Sequence, residues 1–101
     1  MENLPVVCTL TPETMATRKA QLLPGLFRQA EEIESTEDGH RLRFAPSPET
    51  FQAIAAAIEA ERRCCRFLRF DLTVEPGDGP FILTLSGPSG TREFVAALCE
   101  S

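Results

Sequence analysis

A pattern that occurs twice along the chain most strongly constrains its fold. Residues 42–47 resemble residues 83–88, and the two segments are separated by an offset of 41 positions (83 minus 42). Each half of the chain, approximately residues 31–65 and 67–100, has the pattern of a β-hairpin followed by a helix. Neither half alone can bury the apolar face of its hairpin. We therefore expect one four-stranded antiparallel sheet with helices on one face.

Turn and capping signals place the elements within each half. A turn at residues 37–39, which contains an Asp-Gly pair, lies between two alternating runs and predicts the first hairpin, with Leu42 and Phe44 facing the core. A Pro- and Gly-rich cluster at residues 76–80 predicts the turn between strands 67–75 and 81–86. Ser47 as N-cap and Pro48 at the first helical position predict a helix that ends near residues 63–65. The predicted apolar faces comprise Phe51, Ile54, Ala55 and Ile58 on this helix, and Leu68, Phe70, Leu72 and Val74 on the following strand.

The N-terminal part of the chain adds a further helix. Thr11 and Pro12 are typical of a helix start, and the helix is predicted to run to about Leu23. Pro24 and Gly25 interrupt it, and the apolar spacing predicts a short second helical piece over residues 25–30. With 101 residues the chain is long enough for one domain. The prediction is a single α+β domain over residues 1–101, in the order α-ββα-ββα.

Composition narrows the functional classes. No apolar run approaches the roughly 20 residues that a membrane-spanning helix needs, and the first residues lack the features of a secretory signal. We therefore expect a cytoplasmic protein, in which thiols stay reduced and the four cysteines are not a disulfide framework. The net charge of -5 argues against binding to nucleic acid or to an anionic membrane, because both require a basic surface.

The adjacent cysteines Cys64 and Cys65 are the most chemically distinctive feature of the sequence. They lie where the predicted helix gives way to a strand, and on a helical wheel Glu61 falls between the two thiols, with Arg62 also on the buried side. Either this last turn bends to expose both charges, or the charges flank a thiol site. Adjacent residues do not easily supply two corners of a tetrahedral site, so a complete metal site needs another donor. Cys8 is the candidate third ligand; Cys99, His40 and Glu61 are the other candidate donors.

Three roles remain open for the adjacent thiols. They can pack as small apolar groups, as cysteines commonly do, and this is also the expectation for Cys99. They can cycle through a vicinal disulfide, or they can bind a soft ion. Soft thiolates select Cu(I) and Zn(II), and by the same softness Hg(II) and trivalent arsenic. Three nearby cations favour the thiolate form, whereas the negative end of the helix dipole opposes it; the cations are Arg62, Arg63 and Arg66.

Other candidate groups are weaker. His40, the single histidine, begins a strand beside a turn and is expected at the surface. The glycine-rich turns match neither a phosphate-binding loop nor a dinucleotide fingerprint. No pair of carboxylates is placed for acid–base catalysis, so the sequence favours a binding protein over an enzyme and predicts no catalytic residue.

The segment from Glu61 to Phe70 resembles a family of small uncharacterised bacterial proteins. These proteins share an E-R-x-C-C-x-F-L-x-F signature, and the similarity extends to residues 8–12 and 87–88. Some members occur in settings associated with mercury or other heavy-metal resistance, so the resemblance implies a thiol-dependent role with metals. The family usually has Pro where this chain has Arg66, which places an additional charge beside the thiols and leaves the loop less rigid.

These observations lead to one functional prediction and two alternatives. The chain is predicted to be a cytoplasmic accessory protein that binds a soft metal or metalloid ion (Hg, As, Cu or Zn). Cys64 and Cys65 are the predicted ligands, Cys8 is a third candidate ligand, and Glu61 and Arg62 are predicted to surround them. The alternatives are a vicinal-dithiol redox protein and a non-catalytic interaction module that forms a homodimer through a sheet edge or the first helix.

Overall fold

The computed structural model describes the backbone of residues 23–100, and the side chains of all of these except residues 64 and 98–100. The helix predicted for residues 11–23 therefore lies, except for its last residue, outside the described part of the chain. The elements are α1 (Leu23–Gln29), β1 (Glu32–Thr36), β2 (Gly39–Phe44), α2 (Pro48–Cys64), β3 (Arg69–Val74), β4 (Phe81–Ser86) and α3 (Thr91–Glu100).

The four strands form one antiparallel sheet in the order β1-β2-β4-β3. Thr36 pairs with Gly39 at the tip of the first hairpin, and Val74 pairs with Phe81 in the second. The hairpins meet at the centre of the sheet, where β2 runs antiparallel to β4. This arrangement confirms the predicted α+β fold in the order α-ββα-ββα, with a hairpin and a helix occurring in each half.

Side-chain alternation divides the sheet into a covered face and a solvated face. Leu42 and Phe44 on β2 are buried as predicted, and Arg41 and Arg43 between them are exposed. The buried sheet side chains pack in one core with side chains from all three helices, so the helices cover a single face. The core residues of β4 are Phe81, Leu83 and Leu85, and those of the helices include Leu23, Leu26, Ile54, Ala57 and Val95.

Strand β3 is shorter and less covered than predicted. The prediction began the strand at residue 67, whereas β3 spans Arg69–Val74. Phe70 and Leu72 are half-buried, and Val74 is 56% exposed. The reason is topological, because β3 is the outermost strand and has a neighbour on one side only among the described residues.

Helix α2 begins and ends as its capping residues predict. The Ser47 hydroxyl oxygen accepts a hydrogen bond from the Thr50 backbone N–H at 3.0 Å, which satisfies one of the unpaired donors at the helix start. Pro48 is the first helical residue, where its missing N–H costs nothing. The helix ends at Cys64, and Cys65 is its C-cap with φ −110° and ψ 71°.

The buried face of α2 differs from the predicted one. Phe51 is 43% exposed and Ala55 is exposed, so both predictions of burial were wrong. Ile54 is buried as predicted, Ala57 is buried as well, and Glu61 lies on the same face. The Phe51 ring packs edge to face against the Phe81 ring, at 5.6 Å between centroids, which leaves much of its surface open to solvent. The prediction centred the apolar face on the largest apolar side chain, whereas the sheet contacts a face further round the helix.

Helix α1 packs against both α2 and α3. This helix confirms the short helical piece predicted for residues 25–30, with bounds shifted towards the N-terminus. Pro24 lies in its first turn, where proline is tolerated. Leu23 and Leu26 carry the contact with the core. Within residues 23–100, no helix is both long enough and apolar enough to cross a membrane.

Candidate functional site at the end of the second helix

Cys65 lies at the junction between α2 and the loop that leads to β3. Its side chain is 1% exposed and belongs to the core, as the helical wheel predicts. The Cys65 backbone N–H donates to the Glu61 carbonyl at 2.6 Å, and the Cys65 carbonyl accepts from the Leu68 N–H at 3.0 Å. Helix end and loop thus hold the Cys65 backbone from both sides, which fixes the direction of its thiol into the core.

The remaining thiols are located only in part. Cys64 is the last residue of α2, so its backbone is one peptide bond from the buried Cys65. Cys99 lies in α3, near the end of that helix. Cys8, the predicted third ligand, lies outside the described residues. The structure therefore places the adjacent pair on the predicted element, and the ligand set that includes Cys8 remains a prediction.

Glu61 is the buried charged residue of this region. Its side chain is 1% exposed, one turn before Cys65 on the same helix. A carboxylate is rarely buried unless hydrogen bonds, a cation or a metal compensates for the lost hydration. The alternative that the last turn bends to bring Glu61 to solvent is wrong. A carboxylate and a thiol thus enter the core together at the end of α2.

The arginines beside the thiols lie in solvent. Arg62 is exposed, which agrees with the alternative in which its charge reaches solvent and not with the buried side given by the helical wheel. Arg63 forms an exposed ion pair with Glu59, in which an Nη nitrogen and a carboxylate oxygen are 2.9 Å apart. Arg66 is also exposed. Their long side chains reach water because the helix ends here, and any effect on the thiols acts from the solvent side of the site.

Aromatic packing anchors the loop that follows Cys65. Phe67 is buried, and its ring meets the Phe94 ring of α3 edge to face at 5.2 Å. The Phe67 carbonyl also lies close to Gly87, where a Cβ would come within 3.0 Å of it. These contacts tie the end of α2 to the start of α3, so the loop carrying Cys65 has apolar support on its covered side.

A metal centre needs several donor side chains close together. Among residues 23–100 with described side chains, no three or more His, Cys, Asp or Glu residues lie close enough together to hold a metal ion. His40 is in β2 and does not join Glu61 and Cys65 in such a group. Of the donors of the predicted site, Cys65 and Glu61 have described side chains, and both are buried.

His40 is buried, which corrects the prediction of a surface histidine. Its side chain is 5% exposed, and its Nδ1 atom makes no hydrogen bond with the part of the chain that the structure describes. The ring packs edge to face against Phe27 of α1, with the centroids 5.4 Å apart. Burial is the main cause that lowers the pKa of His40; the Arg92 guanidinium lowers it further and the Glu93 carboxylate opposes the shift. The imidazole is therefore held in its neutral form by the helices above it.

We expect His40 to make the fold less stable in acid. Because the pKa of His40 is lower in the folded chain than its ordinary value of 6.5, the unfolded chain binds more protons at intermediate pH. Its contribution to stability is complete above pH 6.5 and is lost as the pH falls through the lowered pKa. Equilibrium urea unfolding of the parent chain and of His40→Gln, between neutral pH and pH 5, measures this contribution to the free energy of unfolding. The variant should lose this part of the pH dependence, and an unchanged dependence would contradict the assignment.

Adjacent cysteines, a buried carboxylate and a solvent-facing cationic rim together define the end of α2. Comparisons of the chain with protein-family models, with curated proteins and with solved structures found no significant match. The similarity of residues 61–70 to a bacterial signature remains a prediction. The chemistry of this helix end is the feature of the chain that bears most directly on function.

Proposed function

We propose that the protein is a cytoplasmic accessory protein that binds a soft metal or metalloid ion through Cys64 and Cys65. The single observation that carries the proposal is the placement of two adjacent thiol residues at the end of a core helix, with Cys65 buried. Sulfur is a soft, polarisable donor, and thiolates select ions such as Cu(I), Zn(II), Hg(II) and As(III) over Mg(II) or Ca(II). The proposal includes no catalysed reaction.

Burial of Cys65 supports retention of an ion once it is bound. An apolar surrounding limits access of water and competing ligands to a metal–sulfur bond. Glu61, one turn earlier and equally buried, is the carboxylate best placed by sequence to act near the thiols. Arg62 and Arg66 lie on the solvent side of the site, and a soft ion displaces the thiol protons itself when it binds. Cys8 is the proposed third ligand for ions that take more than two donors.

One observation favours the interaction module instead. The Cys65 side chain is a member of the main core, and buried cysteines commonly act as small apolar groups. In that case replacement of the cysteines changes stability and no ligand response. The redox alternative needs the same two sulfurs and an oxidant but no metal. The three functions therefore differ in what the reduced, metal-free chain does when each reagent is added.

Titration of the reduced chain with Hg(II), As(III), Cu(I) and Zn(II), read by native mass spectrometry, tests the proposal. We expect one ion per chain for at least one of these metals, and loss of that stoichiometric binding in the Cys64→Ser/Cys65→Ser double variant. Cys99→Ser is the matched control and should bind like the parent chain. Cys8→Ser then tests the third ligand. This variant should weaken the binding of ions of higher coordination number more than the binding of Hg(II).

A folding control separates loss of a ligand from loss of the fold. Because Cys65 is buried, its replacement by Ser places a hydroxyl in the core and lowers stability, so circular dichroism must show that the variant is folded during the titration. Equal binding by the double variant and the parent would rule out the proposal. Loss of the mass of two hydrogen atoms on mild oxidation of the metal-free parent, without binding of any ion, would instead support the redox alternative.

A further inference from the structure

The two edges of the sheet differ in their chemistry. Within residues 23–100, β1 and β3 each have a strand neighbour on one side only. Each edge strand also has a large exposed apolar side chain on the helix-covered face, Ile33 (48% exposed) on β1 and Val74 (56% exposed) on β3. An edge strand presents unpaired backbone donors and acceptors, so it can pair with a strand of another chain unless charge or shape prevents it.

Charge protects the β1 edge against pairing with a copy of itself. In an antiparallel pair of identical strands, residues that stand opposite each other must share a face of the sheet. If the pairing is centred on Ile33, so that the Ile33 residues of the two copies stand opposite each other, Glu32 of one copy faces Glu34 of the other. If the pairing is centred on Glu34, the Glu34 residues of the two copies face each other. Like charges directly opposite each other are destabilising. Strand β1 therefore carries the acidic protection that is common at sheet edges.

Strand β3 is complementary to itself when it is centred on Leu72. On the helix-covered face, Phe70 then stands opposite Val74 of a second copy, and Leu72 meets its own equivalent. On the solvated face, Arg69 stands opposite Glu75 of the second copy, and the two-fold symmetry creates this pair twice. Apolar residues thus meet apolar residues and opposite charges meet, which is the pattern that stabilises cross-strand pairs.

The neighbouring registers lack this complementarity. Moving the centre by one residue to Asp71 places this carboxylate opposite its own equivalent. Moving it to Thr73 places Asp71 opposite Glu75 of the second copy. Both alternatives oppose like charges, so the charges of β3 select the register centred on Leu72 over those on either side.

An apolar groove lies beside the end of β3 at Val74. It has a volume of about 470 Å³ and is lined in part by Phe51, Val74 and Phe81, together with Pro46 and Pro48. In the register centred on Leu72, Phe70 of the second copy stands next to Val74, on the face of the sheet where this groove opens. The second copy thereby covers apolar surface that the isolated chain leaves exposed at Val74.

We propose that two copies of the chain pair antiparallel through β3, with Leu72 on the two-fold axis, to form a continuous eight-stranded sheet. The occupant of the groove is the second copy, because the charges of β3 complement those of an identical strand. The interface lies on the edge strand, whereas the Cys65 side chain lies in the core, so the interface does not include that thiol. The dimer can therefore be tested without reference to metal binding.

Sedimentation equilibrium of the full chain over a wide concentration range tests this dimer. Val74→Lys places a cation next to Phe70 of the second copy and should raise the dimer dissociation constant by about tenfold or more. Ile33→Lys is the matched control, because it makes the same change at a similarly exposed position on the opposite edge. It should leave the dissociation constant unchanged. Both side chains are largely exposed, so both variants should fold, which circular dichroism verifies.

A charge exchange tests the register itself. Arg69→Glu alone should weaken the dimer because it faces Glu75 of the second copy, and the Arg69→Glu/Glu75→Arg double variant should restore it. A chain that is monomeric at every concentration would overturn the proposal, and this is also the result expected if the edge receives a strand of a different protein. Equal weakening by Val74→Lys and Ile33→Lys, no weakening by Val74→Lys, or failure of the double variant to restore the dimer would overturn it as well.

Discussion

Gly39→Ala should destabilise the fold by at least about 3 kcal/mol. A Cβ at position 39 would overlap the carbonyl oxygen of Leu85, and would lie 2.7 Å from the carbonyl carbon of Leu85 and 3.0 Å from the Cα of Ser86. All three are backbone atoms of β4, so no side chain can rotate to relieve the overlap. The β2–β4 pair is the centre of the sheet, and it must separate locally to admit the methyl group.

The matched control for this change is Gly25→Ala in α1. The nearest atom to a Cβ there is a side-chain nitrogen of Arg28 at 3.8 Å, which is ordinary contact. Alanine is a better helix former than glycine by up to about 1 kcal/mol, so this variant should be neutral or slightly more stable. Equilibrium denaturant unfolding of both variants gives the comparison. A Gly39→Ala variant within about 1 kcal/mol of the parent would show that β2 and β4 are further apart than described.

Gly39 also illustrates how a correct prediction can rest on an incomplete reason. The Asp-Gly pair predicts a hairpin in which both residues form the turn, and the hairpin is present. The register pairs Thr36 with Gly39, so the two loop residues are Glu37 and Asp38, and Gly39 is the first residue of β2. Its backbone does not have a positive φ. The glycine is required by the close approach of β4, a contact between strands that local sequence patterns cannot reveal.

The alternation of apolar and polar residues predicted the strands, but it did not predict which strands lie at the edges of the sheet. Strand β3 alternates clearly, and the prediction placed Val74 on its apolar face, yet Val74 is 56% exposed. On the neighbouring strand β4, Leu83 and Leu85 on the same face are buried. Edge position depends on the strand order, which places β4 beside β2. That order depends on contacts between halves of the chain. The pattern of a single strand therefore predicts its faces, whereas its burial depends on its neighbours.

The candidate site could also be predicted only in part, because the pattern of one helix or strand does not show which distant elements cover it. The helical wheel correctly placed Glu61 and Cys65 on the buried side of α2, but wrongly included Phe51 and Arg62. His40 lies two residues before Leu42 and four before Phe44, so the alternation of β2 places it on the same, buried face. The prediction instead followed the expectation that a polar residue beside a turn lies at the surface. The covering groups at His40 come from α1 and α3, which are distant from it in sequence.

Leu83→Ala should cost about 3–5 kcal/mol of folding free energy. Leu83 is 0% exposed, and it stands opposite Leu42 on one neighbouring strand and Leu72 on the other. Truncation removes apolar contacts and leaves a cavity beneath the helices, which the central strand cannot close by moving. Since natural domains are stable by only about 5–15 kcal/mol, the variant should lose a large fraction of its stability.

Ile82→Ala is the matched control on the adjacent residue of the same strand. Ile82 lies on the solvated face and is half-buried, opposite Arg43 and Thr73, so we expect a loss of about 1 kcal/mol. Leu83→Met, which conserves most of the volume, should cost less than about 1.5 kcal/mol. The three values come from equilibrium unfolding in denaturant. Equal losses of stability for Leu83→Ala and Ile82→Ala would contradict the assignment of the covered face. Only one face of β4 can pack against the helices, among them α2, which carries Glu61 and ends at the Cys65 cap.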